Sequence, residues 1–111
     1  MHIYFKKRKI EKICNESKIA IKELGEKRGK KLMQRMMELA AAAFLSDISI
    51  YPPARCHELS GDRKGQLSVD LGHPYRLIFI PADDPVPLKK DGGLDRTAIS
   101  SIEIIEIADT H

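Results

Sequence analysis

Hydrophobic positions recur at helical spacing through the first part of the chain. A short apolar run at residues 2–5 predicts a strand, and after it apolar residues return every three to four positions among lysines. The predicted helices span residues 6–14, 18–24 and 26–44. Ser17 is the predicted cap of the second helix, and Gly25 its predicted end. In the third helix Leu32 and Met36 begin an apolar stripe, which predicts that this helix packs against a sheet.

Beyond Pro52 and Pro53 the pattern changes to the alternation that is typical of β-strands. Turn signals separate the extended segments: a charged glycine-rich turn at 61–65, Gly-His-Pro at 72–74, and a loop rich in Pro, Gly and Asp at 81–98. The predicted strands span residues 55–59, 66–71, 75–80 and 99–108. Such a succession indicates an antiparallel sheet with the helices on one face and the other face free. The predicted fold class is therefore α+β.

The length of 111 residues fits one domain, which we take to span residues 1–111. No segment approaches the roughly 18–20 consecutive apolar residues of a membrane span. The N-terminal charges are not followed by the apolar stretch of a secretory signal. Cys14 and Cys56 do not have the spacing of a zinc site or a disulfide framework, and we interpret them as reduced structural residues. We expect a cytoplasmic protein that has no membrane partner.

The net charge of +3 conceals an asymmetry along the chain. Residues 1–37 contain 12 Lys or Arg against 4 Asp or Glu, a balance of +8, whereas residues 38–111 contain 7 against 12, a balance of −5. A basic first third fits a phosphate backbone or an acidic partner, and it fits a solvated helix face equally well. With three Tyr, three Phe and no Trp, the chain does not favour a stacking platform for several bases.

Candidate chemistry is confined to a few His and Arg residues on the predicted strands. The sequence contains no metal-ligand spacing, phosphate-binding glycine loop or nucleophile elbow, and we predict neither a metal nor another cofactor. Arg76 is the one charge in the apolar segment 75–80, and burying an unpaired guanidinium is prohibitively costly. Arg76 therefore either pairs with a carboxylate such as Asp70 or Glu103, or faces a groove that receives an anion.

Two histidines lie where strands can bring them near Arg76. His57 precedes the predicted hairpin, and His111 directly follows the last apolar strand. Either histidine alone is more often a packing or frayed terminal residue than a catalytic one. A meander can, however, place both imidazoles beside Arg76. Two proton-exchanging groups and a fixed cation suit RNA cleavage without a metal, which needs a base, an acid and positive charge at the transition state.

Three segments resemble motifs of one protein family. Residues 55–65 (RCHELSGDRKG) resemble its H-x-L-x-G-D-x-x-G block, residues 75–79 (YRLIF) resemble its W/Y-R-I/L-x-F strand, and residues 107–111 (IADTH) resemble its terminal D-Y-H. The basic helix and the Phe-Leu-Ser-Asp-Ile segment that follows it also fit. The family is the HigB (proteic killer protein) branch of the RelE/ParE toxin superfamily, and the likeness extends in order over nearly the whole chain.

The resemblance implies a fold like that of microbial ribonucleases and the activity of a toxin from a type II toxin–antitoxin pair. Such toxins enter the ribosome and cut mRNA there. A cognate helix-turn-helix antitoxin neutralises them, and the toxin contacts operator DNA only through that antitoxin. The resemblance therefore implies the antitoxin, the ribosome and mRNA as partners. The alternative is a non-catalytic member that binds its antitoxin and operator, or another target such as gyrase.

The resemblance also implies roles for single residues. His57 would be an acid, a base or a phosphate contact, Arg76 would stabilise the scissile phosphate, and His111 would be a principal catalytic group. Asp109 would orient His111 and contribute to substrate binding. The family often has lysine where Ser60 stands, so a charge from the adjacent turn would have to contact substrate instead. The two candidates for that charge are Arg63 and Lys64.

Overall fold

The computed structural model describes residues 1–109 of the chain, so Thr110 and His111 lie outside the described residues. Within residues 1–109 the chain forms three α-helices and five β-strands. In chain order these are β1 (His2–Phe5), α1 (Arg8–Asn15), α2 (Ser17–Leu24), α3 (Glu26–Ala41), β2 (His57–Glu58), β3 (Leu67–Asp70), β4 (Tyr75–Pro81) and β5 (Ser101–Asp109). Each predicted helix and strand is present, and most of their ends differ from the predicted ones by one to three residues.

The strands of the described chain form one sheet in the order β1-β5-β4-β3-β2. Strands β2 to β5 are antiparallel neighbours, as the succession of turns predicts. The first strand instead lies parallel to the last, with Ile3 opposite Ile102 and Phe5 opposite Ile104. The sheet is therefore mixed, and the predicted α+β fold class is confirmed.

The hydrophobic core lies between the helices and one face of the sheet. Alternation along β3 and β4 directs Leu67, Val69, Leu77 and Phe79 to that core, where none of them is exposed to solvent. The helices contribute Leu32 and other buried apolar residues of their inner faces. The side chains that alternate with them point away from the helices. Any functional groups among them are held in place by a sheet whose opposite face is packed against the core.

The third helix ends three residues earlier than the sequence predicts. The backbone turns to an extended conformation at Ala42, and the Asp47 carboxylate accepts hydrogen bonds from the amides of Ala43 and Phe44 at 3.0 and 3.1 Å. A side-chain acceptor thus replaces the helical carbonyls at these positions. Ser17 also differs from the prediction, because it is the first residue of α2 and its hydroxyl caps nothing.

Helices α2 and α3 approach each other closely at Gly29, which is buried. A Cβ atom at this position would lie 2.8 Å from the amide nitrogen of Ile21 and 2.9 Å from the carbonyl carbon of Ala20. These are backbone atoms, so a rotamer change cannot relieve the contact. The crossing of the two helices therefore depends on the hydrogen side chain of glycine.

The long loop between β4 and β5 is fastened to the body of the protein at both ends. Near its start the Asp83 carboxylate accepts hydrogen bonds of 2.8 to 3.2 Å from the amides and hydroxyls of Ser100 and Ser101. Near its end Arg96 donates to the carbonyl of Cys56 at 3.1 Å, directly beside β2. The loop thereby contributes to the position of β2 and of the residues on it.

We expect the hydrogen bonds to Asp83 to make the folded protein lose stability as the pH becomes acidic. Burial acts to raise the pKa of Asp83, but the hydrogen bonds from Ser100 and Ser101 outweigh it and hold the pKa below the ordinary value of 3.8. The ionised carboxylate therefore stabilises the fold above the ordinary pKa, and this stabilisation is lost as pH falls through the lowered pKa. Asp83→Asn should lower stability at neutral pH by about 1 kcal/mol and flatten its decline in acid. Thermal melts over a pH series test this, and an equally steep decline in the variant would contradict it.

Both cysteines are buried and unpaired in the structure. Burial raises the pKa of the Cys14 thiol to about 12, which keeps it protonated and unreactive. Burial likewise raises the pKa of Cys56, against an opposing effect of the Arg96 charge. None of the helices in residues 1–109 combines the length and apolar character that crossing a membrane requires.

Candidate functional site

The sheet surface that faces away from the helices carries most of the residues singled out in the sequence. We call it the second face and define it by Ser68 and Asp70 of β3, Arg76 and Ile78 of β4, and Glu106 of β5. These residues alternate with core residues along their strands and lie opposite one another in the register. The helices close the core side of the sheet. On the second face Asp70, Arg76 and Glu106 are partly exposed and can meet a ligand, whereas Ser68 and Ile78 are fully buried.

His57 belongs to a row of side chains that crosses four strands of the second face. It lies opposite Ser68, which lies opposite Ile78, which lies opposite Glu106. His57 is partly buried, whereas Ser68 and Ile78 are fully buried. The imidazole is therefore placed at the margin of the row, where it is in contact with both solvent and protein.

Arg76 belongs to the neighbouring row and pairs with Asp70, which is directly opposite it. Its Nε lies 3.4 Å from Oδ1 of Asp70, and 14% of its side chain is exposed. Of the two carboxylates considered in the sequence, Asp70 is thus the partner; Glu103 lies opposite Ile80 and forms no ion pair within residues 1–109. The terminal nitrogens of Arg76 form no hydrogen bond with the described residues. Arg76 can therefore bind an anion through these nitrogens while its Nε is paired with Asp70.

A second arginine, which the sequence analysis did not select, contacts the same carboxylate. Nε of Arg55 lies 3.6 Å from Oδ2 of Asp70, and 46% of the Arg55 side chain is exposed. Arg55 has a φ of 50°, a left-handed conformation that side chains other than glycine rarely adopt. The available signal was its spacing of two residues from His57, which places both side chains on one side of an extended segment.

His57 and Arg76 therefore project from one surface, as the sequence predicts. Their rows are separated by one same-face step of roughly 7 Å along the strands, and two strand spacings add about 10 Å across the sheet, so their backbones lie roughly 12 Å apart. Arg55 and Asp70 lie in the Arg76 row. The second face thus presents an imidazole and two guanidinium groups.

The turn before β3 contributes a third arginine to the second face. Arg63 donates hydrogen bonds of 3.0 Å to Gln66 and to Glu106, and the latter contact links this turn to β5. Lys64 is exposed and forms no ion pair within the described chain. Lys64 and Arg63 are the two candidates for the charge that the family's lysine would supply at position 60, and they differ. Lys64 projects into solvent, whereas Arg63 already binds the carboxylate of Glu106.

We expect the ion pair between Arg63 and Glu106 to contribute less than about 1 kcal/mol to stability, because both side chains are partly exposed, at 33% and 45%. A double-mutant cycle with Arg63→Ala, Glu106→Ala and the double variant, monitored by denaturant unfolding, measures this coupling. A weak coupling would mean that a stronger anion can displace Glu106 from Arg63. A coupling of several kcal/mol would identify the pair as a fixed structural contact instead.

Of the C-terminal candidates, Asp109 is the last residue of β5. Asp109 lies opposite Tyr75, whose ring packs towards the core and carries Arg28 at 4.8 Å from its centroid. The adjacent Ala108 lies opposite Arg76. Asp109 is therefore one residue beyond the Arg76 row and directed to the other side of the strand. His111 lies outside the described residues, so its predicted role stays a prediction.

Within residues 1–109, no three His, Cys, Asp or Glu side chains come together in a way that would hold a metal ion. What the second face can do chemically rests on its ionisable groups: partly buried His57 can exchange a proton, and the arginines can neutralise an anion. Two buried side-chain polar atoms of the described chain, Ser68 Oγ and Arg76 Nε, have no hydrogen-bond partner, and both belong to residues of this face.

Comparison with known proteins identifies the fold. No family model matches the sequence, and no curated protein is similar to it. Solved structures do match over the whole chain. A YoeB/ParE toxin from Agrobacterium tumefaciens superposes with a TM-score of 0.58 at 10% identity, covering 100% of both chains. A YoeB dimer from Staphylococcus aureus gives 0.55 at 16% identity, and a YoeB–YefM complex from the same organism gives 0.53 at 14%, each covering 100% of this chain and 97% of the other. The chain has the fold of these toxins.

Proposed function

We propose that this protein is the toxin of a type II toxin–antitoxin pair and acts as a metal-independent endoribonuclease that cuts mRNA on the ribosome. The observation that carries the proposal is the second face, where His57, Arg76 and Arg55 share one surface of a sheet with the fold of YoeB/ParE toxins. The motif resemblance to the HigB branch, which includes His57, Arg76 and the terminal Asp109 and His111, supports the same activity.

The proposed reaction is transfer of the scissile phosphate to the neighbouring ribose hydroxyl. A base removes the proton of the 2′-hydroxyl, and the 2′-oxygen forms a bond to phosphorus while the bond to the 5′-oxygen breaks. An acid gives the departing 5′-oxygen its proton. His57 and His111 supply the two proton-transfer groups. The products are a 2′,3′-cyclic phosphate and a free 5′-hydroxyl.

Positive charge on the second face would stabilise the extra negative charge of the transition state. Arg76 is fixed by the sheet and by Asp70, so it needs little reorganisation when the charge develops. Arg63 can contribute a further contact if substrate displaces Glu106. Lys64, which is exposed, would contact substrate at the margin of the site. Asp109 was also predicted to bind substrate, but it is directed to the other side of β5, so its proposed contribution is to orient His111.

The proposed partners are a cognate helix-turn-helix antitoxin, the ribosome and its mRNA. The structurally similar YoeB from Staphylococcus aureus forms a complex with YefM, which supports a protein partner for this chain. The basic first third of the sequence, with its balance of +8, suits contact with ribosomal RNA. Operator DNA would be contacted through the antitoxin. These partners are consistent with the predicted cytoplasmic location.

The second candidate function is that of a non-catalytic toxin-fold protein that binds its antitoxin and operator, or another target such as gyrase. The specific observation in its favour is that carboxylates already contact Arg76 and Arg63. In this alternative the ion pairs are structural, and the second face does not receive RNA. A short helix-turn-helix reading frame next to the gene would support either form of the toxin–antitoxin assignment and would exclude an orphan interaction domain.

The test is to express the wild-type chain and His111→Ala in bacteria and to map mRNA 5′ ends. We expect growth arrest with new ends at codon-associated positions for the wild type, and loss of both for His111→Ala. A tag on the C-terminus should impair activity more than the same tag on the N-terminus. Growth arrest without new mRNA ends, or arrest that His111→Ala leaves unchanged, would contradict the endoribonuclease assignment and favour the non-catalytic alternative.

A further inference from the structure

We propose that Arg55, Asp70 and Arg76 form an arginine clamp, a binding site for one phosphodiester group in which Asp70 aligns the two guanidinium groups. Arg55 and Asp70 are the new members of the site. The inference rests on the proposed function in one respect: RNA is the polymer whose phosphate the clamp receives. Phosphate binding itself follows from the geometry and can be measured separately.

The carboxylate of Asp70 lies between the two arginines and contacts each with a different oxygen. Oδ1 lies 3.4 Å from Nε of Arg76, and Oδ2 lies 3.6 Å from Nε of Arg55. Both contacts involve Nε, the nitrogen nearest to the aliphatic part of the arginine side chain. The terminal nitrogens of both arginines make no hydrogen bond within residues 1–109. Asp70 therefore orients both guanidinium groups through their Nε atoms and leaves the terminal nitrogens available to another hydrogen-bond acceptor.

The backbone at Arg55 lies in the left-handed region, which residues other than glycine rarely adopt. Its φ of 50° is the one positive value at a non-glycine residue in the described chain. Three backbone hydrogen bonds fix the segment: Arg55 to Tyr51 at 3.0 Å, Cys56 to Ser49 at 2.9 Å, and Asp70 to Ala54 at 2.8 Å. The strained residue thus carries one of the two clamp arginines, and such strain is concentrated at functional sites.

Two buried side-chain polar atoms of the second face, one of them in the clamp, lack hydrogen-bond partners. Nε of Arg76 is buried and lies near Asp70, but without the geometry of a hydrogen bond. The hydroxyl of Ser68, two residues before Asp70 and so on the same face, is buried and also has no partner. Across residues 1–109 these are the two such side-chain atoms. Unsatisfied buried polar atoms are rare in folded proteins, and one of the two belongs to a clamp arginine.

The charge of the clamp matches a phosphodiester. Two guanidinium groups and one carboxylate leave a net charge of +1, which complements the single negative charge of a phosphodiester. Arginine presents planar paired donors that fit two phosphate oxygens at once. His57 lies in the neighbouring row of the same face, one same-face step of roughly 7 Å from the clamp. The clamp would therefore position the phosphate that the proposed reaction transfers.

The test uses the full chain and a 2′-O-methyl oligoribonucleotide, which binds as RNA but cannot undergo attack by a 2′-hydroxyl. Fluorescence anisotropy gives its affinity, and inorganic phosphate serves as a competitor. We expect Arg55→Gln to weaken binding about tenfold, as for loss of a charge-assisted hydrogen bond. The salt dependence of log affinity should become shallower by about 0.7. Lys90→Gln, which removes the same charge from the exposed loop, should change neither quantity appreciably.

Asp70→Asn separates a clamp from simple charge attraction. Removal of a negative charge should strengthen RNA binding if charge alone matters, whereas the clamp predicts weaker binding because the arginines lose their alignment. Arg55→Lys keeps the charge but loses the planar fork, and it should also bind more weakly. Thermal melts show whether each variant is folded. Stronger binding by Asp70→Asn, or wild-type affinity in folded Arg55→Gln and Arg55→Lys, would overturn the clamp.

The two proposals can fail separately. If the variants lose affinity as expected but the wild type cleaves no mRNA on the ribosome, the clamp stands and the proposed nuclease activity does not. If the wild type cleaves mRNA while the Arg55 and Asp70 variants bind the oligonucleotide as it does, the nuclease activity stands and the clamp is excluded.

Discussion

Alanine at position 57 is expected to slow cleavage of ribosome-bound mRNA by about 100- to 10,000-fold, the range for loss of a proton-transfer group. His57 is partly buried on β2 and faces the same surface as Arg76, so the variant removes the imidazole without disturbing the core. The measurement is a single-turnover assay with programmed ribosomes. His2→Ala is the matched control, because His2 is an exposed histidine on the opposite edge strand of the sheet.

The result also separates catalysis from binding. A His57→Ala protein that binds ribosomes as tightly as the wild type but cleaves slowly fits a proton-transfer role. Equal cleavage rates for His57→Ala and the wild type would exclude His57 from the chemistry. A loss of ribosome binding that accounts for the whole loss of cleavage would make His57 a phosphate contact instead.

Gly29→Ala is expected to lower the free energy of unfolding by about 1–3 kcal/mol, although alanine is the better helix former. The added Cβ would lie 2.8 Å from the amide nitrogen of Ile21, and α2 and α3 would have to move apart. For a domain of this size each kcal/mol corresponds to a fall in Tm of roughly 4–8 °C. Lys27→Ala is the control, because Lys27 is exposed in the same helical turn and has no such contact.

Denaturant unfolding of the two variants measures the difference directly. A Gly29→Ala protein as stable as the Lys27→Ala protein would show that the helices can separate at little cost. The prediction would then fail, and the close approach at Gly29 would be a consequence of the glycine rather than a requirement of the fold.

The periodicity of the sequence was sufficient to predict the helices, the strands and the α+β class. Amphipathic spacing and turn residues are local signals, and they act over a few neighbouring positions. The end of α3 was misplaced because the acceptor that replaces its helical carbonyls is Asp47, six residues beyond Ala41. The parallel pairing of β1 with β5 was not predictable in this way, because nothing local connects Ile3 to Ile102.

The site was predicted in part for the same reason. Strand alternation placed His57 and Arg76 on one face, and Asp70 was one of two partners proposed for Arg76. The role of Arg55 depends on a left-handed backbone conformation, which is set by hydrogen bonds from more distant residues. The engagement of Arg63 by Glu106 joins positions 43 residues apart, and only the folded chain reveals it.

The position of β5 has a consequence for how the protein is made. This strand is the last in the described chain, yet it lies between β1 and β4. While a ribosome still holds β5 in its exit tunnel, β1 has no sheet partner, and the core residues Ile102 and Ile104 are missing. The native sheet therefore forms only after β5 has left the exit tunnel. Until that point the second face lacks Glu106 and the Arg63 contact that Glu106 accepts.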